Sequence, residues 1–286
     1  MISENQTILP RASILVDGHV HIHSCYDLYS LCESAQRNFC HAASTLDLGS
    51  QFNAVLLLTE SHSANHFSSL RRKATDKTLV NGWRFQATLE PESLIAISPA
   101  GFELTIIAGR QIVTAERLEV LAVCTDKLFD DGEMISEVID SVSAANGVSI
   151  VPWGFGKWIG RREKVINRLI DEFVERKFHL GDNSGRISTW REPAQFKIAR
   201  MQGQRVLRGT DPMPFAGQET RVGGFGFYIN GAFDKSKPAA SMRDLLHAHN
   251  VPAVSYGVLE SPVLFVKHQL MMQTRKWRRE IGSNTT

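Results

Sequence analysis

The sequence predicts an α/β fold organised on a largely parallel sheet, and three observations predict it. Short runs rich in β-branched residues recur along the chain, most of them apolar throughout instead of alternating, the pattern of strands buried on both faces. Amphipathic helical stretches lie between many of these runs, and alternating strands and helices favour a parallel sheet. Histidines, carboxylates and amides follow the apolar runs directly, at the end where the strand-to-helix loops of parallel folds gather around a ligand.

Strands are expected at SILVDG (13–18), FNAVLLLTE (52–60), LTIIAGRQIV (104–113), LEVLAV (118–123), VSIVPW (148–153), KFHLGD (177–182), RVLRGTD (205–211) and VPAVSYG (251–257). Segment 132–147 predicts a helix, with Met134, Ile135, Val138, Ile139 and Val142 on one stripe and Gly147 as C-cap. Segment 161–177 places Val165, Leu169, Ile170, Phe173 and Val174 at helical spacing, and 239–250 repeats the theme. Residues 83–113 read as antiparallel hairpins inserted in this pattern, because EPES and SPAG separate short β-rich runs. The Gly-rich segment 214–231 lacks the spacing of a dinucleotide site and is expected as a lid or rim loop. A basic helix is expected near 266–280, carrying Lys267, Arg275, Lys276, Arg278 and Arg279.

Composition narrows the class. At 286 residues the chain suits one α/β barrel, although two small domains would also fit; no linker or repeat divides it, so 1–286 is read as one domain. The net charge of +2 offers no general attraction to nucleic acid or anionic membrane. Cys25, Cys32, Cys40 and Cys124 have no CxxC spacing, so a reducing compartment is expected. With no basic-then-apolar leader and no run of membrane-spanning length, the expectation is a cytoplasmic protein.

The polar residues after the runs are the candidate site. His19 and His21 lie two apart on one strand face, where one divalent ion can accept both imidazoles, and His23 shares that face. Gly18 permits close approach, and Asp17 is a candidate for orienting an imidazole from behind. Glu60 and His62, Arg110 and Gln111, Asp182 and Asn183, and Asp211 follow four further runs. Asp182 and Asp211 also suit helix N-caps. His247 and His249 follow a helical stripe and are expected near a helix C-terminus, outside the site.

These strand ends, taken in order over most of residues 14–213, resemble the polymerase and histidinol phosphatase (PHP) family. DGHVHIHSCYD resembles its first motif, LLLTESHS its Thr-Asp-His, IIAGRQIV its Gly-x-Glu-Ile, IVPWGFG its His-Pro-Trp element, FHLGDNSG the strand ending in Glu or Asn, and RGTDPMP its final Gly-Ser-Asp-x-His. The resemblance implies a distorted (β/α)7 TIM-like barrel and a metal-dependent hydrolase of phosphoesters. The chain departs from the pattern where Gln111 replaces the bridging glutamate, Val151 replaces a histidine, no histidine follows Asp211, and Asp27 falls one residue late. The resemblance therefore implies one ion (Zn, Mn or Fe) instead of three, with ligands drawn from His19, His21, Asp211, Glu60, His62 and Asp182.

Activation of water by that ion would leave Asp211, His62 or Glu60 as the acid–base group. Arg110, Arg208, Lys157, Arg161, Arg162 and Asn183 are the candidate substrate-binding residues, since arginine forks and helix N-termini suit phosphate oxygens. Trp153, Phe155 and Trp158 are read either as an apolar wall for a ring or sugar or as core. A small-molecule substrate is expected, a sugar phosphate among the resemblance's implications, with nucleic acid disfavoured and a homo-oligomer open. Two alternatives stand beside this reading: a mononuclear enzyme of the amidohydrolase type, and a barrel that binds without turnover.

Overall fold

The computed structural model describes residues 11–172, 176–248 and 250–283, with side chains described through residue 274. A seven-stranded sheet contains β1 (Arg11–Val20), β2 (Asn53–Leu58), β3 (Arg84–Ala87), β4 (Ser93–Ile97), β5 (Glu103–Ile107), β11 (Gly226–Ala232) and β12 (Val254–Tyr256) in the order β12-β11-β1-β2-β5-β4-β3. A five-stranded sheet contains β6 (Gly109–Val113), β7 (Glu119–Val123), β8 (Val148–Pro152), β9 (Phe178–Asn183) and β10 (Val206–Gly209) in the order β10-β9-β8-β7-β6. Both sheets are mixed: β1 with β2, β2 with β5, β8 with β9 and β9 with β10 run parallel, and the remaining pairs run antiparallel.

Strand alternation sorts the apolar side chains. Ile14 and Val16 of β1 point to a core shared by both sheets, with Val55, Leu57, Ile107, Leu121, Ile150 and Leu207. Leu15, Leu56 and Ile106 point the other way, against α1 (Leu28–Thr45) and α2 (His66–Thr75). The outer face of the second sheet is covered by α3 (Ile135–Ala144), α4 (Arg161–Asp171) and α5 (Ala194–Met201). Strands with both faces covered need apolar residues at every position, which is why their runs do not alternate. Each fully buried Leu, Ile or Val contributes about 1.5–3 kcal/mol.

The two sheets do not close into one hydrogen-bonded barrel, in contrast to the (β/α)7 expectation. They meet at two seams. At one, Glu60 N–H donates to the Gly109 carbonyl (3.0 Å) and Gln111 N–H to that of Glu60 (2.9 Å); at the other, Asp211 N–H donates to the His19 carbonyl (2.8 Å). Closeness at the second seam depends on glycine: a Cβ at Gly18 would lie 2.8 Å from the Arg208 carbonyl oxygen, and one at Gly209 would strike the His19 backbone.

Several elements differ from expectation. The 104–113 run is two strands, because the chain leaves the first sheet after Ile107 and joins the second at Gly109. Segment 226–232, expected within a rim loop, is β11 beside β1, with Phe227 and Ile229 in the shared core. Its glycines hide a strand: a side chain on Gly226 would collide with the Val16 carbonyl, and one on Gly231 with Leu245. Helix α3 ends on Asn146 in a left-handed conformation (φ 57°), so Asn146 takes the role expected of Gly147, whose N–H bonds the Val142 carbonyl. Helix α6 (Pro238–His247) ends on His247, whereas His249, Phe173 and Val174 lie outside the described residues. The basic segment forms α7 (Pro262–Ser283). Among the described residues no helix is long and apolar enough to cross a membrane.

Candidate metal centre

Strand β1 ends by carrying His19 to the mouth between the sheets, and His21 follows on the same face. Across the second seam, β10 delivers Asp211. The His19 and His21 Nε2 atoms are 3.0 Å apart, and the Asp211 Oδ1 lies 3.5 Å from the first and 3.6 Å from the second. Among the described residues this is the one group of three ligand-type side chains whose donor atoms converge. Four ligands at ~2.0–2.1 Å in a tetrahedron stand about 3.3 Å from one another, so the spacing matches a common ion.

The surroundings hold the three groups in place. Asp211 adopts a left-handed backbone (φ 46°), a conformation that disfavours most L residues by roughly 1–2 kcal/mol and is kept here by its bond to the His19 carbonyl. Asn183, the last residue of β9, donates from Nδ2 to Asp211 Oδ2 (3.2 Å) and to the Trp153 carbonyl (2.8 Å). Gln111 Oε1 lies 3.3 Å from His19 Nε2. His23 stacks on the His21 ring and turns its Nε2 to the Pro212 carbonyl (3.2 Å), away from the convergence point.

Electrostatics favour the metal-ready forms. Burial, reinforced by the neighbouring His19, pushes the His21 pKa down to about 3, so its ring is neutral with a lone pair available. Burial works to raise the Asp211 pKa, but His19, His21 and Lys157 outweigh it and hold the carboxyl below its ordinary range. The Asp211 side chain is 35% exposed, against 4% and 10% for the histidines, so the centre opens to solvent on the aspartate side.

Asp17 lies one layer beneath, but it does not orient an imidazole. Its carboxylate accepts from Thr210 N–H (2.8 Å), Thr210 Oγ1 (2.6 Å) and Gly223 N–H (2.9 Å), tying the two chain segments that meet at the seam. Complete burial still pushes its pKa up to about 6 against those bonds.

The other candidates are not brought to the centre. Glu60 is buried against Arg110 (3.2 Å) and accepts the Phe67 N–H (2.7 Å) at the start of α2. Its partner Arg110 also donates to the Ala64 carbonyl (2.6 Å). His62 is solvent-exposed on the loop after Glu60. Asp182 takes a bidentate pair of bonds from Arg186 (2.8 and 2.9 Å). Arg208 also leans on Asp182 (3.6 Å) and lies over the Phe225 ring. Lys157 pairs with Glu119, Arg162 bonds the Gly156 carbonyl (2.7 Å), and Arg161 is exposed at the start of α4. Asp27 caps α1 through Ser30 N–H (2.8 Å).

Sequence reasoning missed a second polar cluster beside the mouth. Glu260 is buried between Arg221 (2.7 Å) and His268 Nδ1 (3.0 Å), and Arg221 also donates to Ser184 Oγ (2.9 Å). Glu260 follows β12 and precedes α7, so a carboxylate between a short apolar run and a helix was the available signal.

No family model and no curated protein matches the chain. Among solved structures it is similar to PsfC from Pseudomonas syringae PB-5123, at 14% identity and a TM-score of 0.55, over 92% of this chain and 98% of that one. That likeness concerns the fold. Lesser similarities join it to the lesion-specific endonuclease PfuEndoQ from Pyrococcus furiosus (9% identity, TM-score 0.49) and to an Endonuclease Q complex with a duplex carrying an abasic lesion (9%, 0.44). The matches cover 85% and 77% of this chain but 58% and 53% of those chains, so this chain spans little over half their length.

Proposed function

We propose that the protein is a hydrolase dependent on a single divalent ion, of the PHP type, acting on a small phosphoester. The observation that carries this reading is the convergence of His19, His21 and Asp211 at 3.0–3.6 Å. Two imidazoles and a carboxylate suit Zn, Mn or Fe, and three protein ligands with one open side are the pattern of a catalytic site. The interior core shared by both sheets, with seams at Glu60 and Asp211, supports reading the chain as one two-sheet domain.

When bound, the ion supplies Lewis acidity and lowers the pKa of water at its open position. The chain does the rest. His19 and His21 present their Nε2 atoms side by side to the ion. Asp211 Oδ1 completes the ligand set, while its Oδ2 is the group within the cluster able to receive a proton from an attacking water. Asn183 donates to that same oxygen and fixes the carboxylate plane.

Binding without turnover is the second reading. It is favoured by the commitment of Glu60 and Asp182 to arginines and by the apolar Val151, which leave no second ion its ligands among these candidates. One experiment separates the two. Elemental analysis of gently purified protein is expected to give about one equivalent of Zn, Mn or Fe, and the loaded protein is screened against phosphomonoesters, phosphodiesters and cyclic amides. Under a tenth of an equivalent, unrestored by added metal, removes both the ion and the hydrolase; a full equivalent with no turnover leaves the binding reading; turnover of cyclic amides alone moves the chain to the amidohydrolase type.

A further inference from the structure

Beside the metal centre lies a cavity of about 280 Å³ whose walls are unusually aromatic. Trp153 and Trp158 line it, and Phe155 and Trp190 stand at its rim, 52% and 43% exposed. Phe155, Trp190 and Phe265 pack on one another with ring centroids 5.1–5.7 Å apart, in edge-on or tilted pairs. Packing of this kind fixes the rings in the absence of a ligand. Large apolar side chains held open to water mark binding surfaces more often than scattered exposure does.

The cavity adjoins the chemistry. The Trp153 main-chain carbonyl accepts the Asn183 Nδ2 that also donates to Asp211, so the backbone at one end of the cavity is tied through one amide to the candidate ligand carboxylate.

Part of the polar lining is already engaged. Arg186 gives Nε and Nη2 to Asp182, and Gln195 Nε2 donates to Glu163 (3.3 Å) and Asn167 (3.1 Å). A hydroxyl-rich sugar needs several free donors and acceptors along its edge, and this wall offers few. Arg191, at the rim, has no ion-pair partner among the described residues, and the buried Trp158 indole N–H lacks an acceptor. The volume is below the 300–1,000 Å³ usual for drug-sized ligands and suits one ring system.

We propose that this cavity is the substrate-recognition subsite, and that it takes a planar aromatic or heteroaromatic ring attached to the phosphoryl group presented at His19, His21 and Asp211. The inference rests on the phosphoester reading for the phosphoryl part and on the cavity alone for the ring. It replaces the sugar phosphate implied by the family resemblance.

The cavity contains three of the five tryptophans of the chain, so intrinsic fluorescence reports on it. Phenol, glucose, phenyl phosphate and methyl phosphate are titrated into metal-loaded protein and into Phe155→Ala, which removes an exposed rim ring and keeps every tryptophan. Phenol is expected to perturb the fluorescence and glucose not, and phenyl phosphate to bind at least tenfold tighter than methyl phosphate. Phe155→Ala is expected to lose about fivefold to tenfold of that preference while metal content and methyl phosphate affinity stay unchanged. Equal affinity for the two esters, or glucose displacing phenol, overturns the ring subsite. A phenol response in a protein that holds no metal and no phosphate ester keeps the subsite and overturns the phosphoesterase reading. Failure of Phe155→Ala to change the phenol response overturns the assignment to this cavity.

Discussion

Two sets of charged strand ends look alike in the sequence and differ in the structure. His19, His21 and Asp211 converge without an arginine or lysine paired to the carboxylate among the described residues, and the aspartate side faces solvent. Glu60 and Asp182 are buried against Arg110 and Arg186, which neutralise them in place. A carboxylate at a strand end stays open where no arginine fork reaches it, and becomes a strut where one does. Burial of an unpaired ion is too costly to persist, so the second set is closed by arginine, and the first is the group that could hold a cation.

The largest expected effect tests the open set. Changing His19 and His21 together to alanine should reduce bound metal from about one equivalent to under a tenth and abolish the rise in Tm on adding metal; normal metal content in the double variant places the ion elsewhere. Next comes the closed set. Arg186→Met leaves the buried Asp182 only its longer contact with Arg208 (3.6 Å) and should destabilise by about 3 kcal/mol in urea unfolding, with metal content per folded molecule unchanged. A loss of metal affinity without that destabilisation would move Asp182 into the open set.

Glu60→Gln should cost about 1–3 kcal/mol, since it weakens the Arg110 pair and the acceptor for Phe67 N–H, again with metal binding intact by calorimetry. The smallest effect belongs to Asp27. Its bonds to Ser30 hold the carboxyl below its ordinary pKa, so its contribution is present above that value and lost as pH falls through the lowered one. Asp27→Ala should therefore lower stability by about 0.5–1 kcal/mol at neutral pH, with the difference from wild type vanishing in acid; a change in metal content would make Asp27 a ligand.

Most strands of both sheets were legible, because burial on two faces leaves an apolar run that needs no partner to be recognised. The antiparallel hairpins of β3, β4 and β5 were legible too, from the EPES and SPAG breaks; the split at Gly109 was not, since it depends on where a bent strand changes sheets. Strand β11 was obscured because glycines that let Val16 and Leu245 approach also read as loop signals. His19, His21 and Asp211 were found through spacing and strand-end position. Glu60, Asp182, Arg110 and Arg208 were found by the same rule, but their ion pairs were not, because the rule locates charges and does not pair them. The Glu260 cluster escaped because its run, β12, is only three residues long.

The second seam also sets a clock. His19 and Asp211 lie 192 positions apart along the chain, and β1 pairs with β11, later still. At ribosomal rates of 5–20 residues per second, the histidines are made roughly 10–40 s before the aspartate. A nascent chain thus displays two imidazoles on an unpaired strand edge, without their third partner. The three-residue cluster closes only once Asp211 is made and β11 has paired with β1.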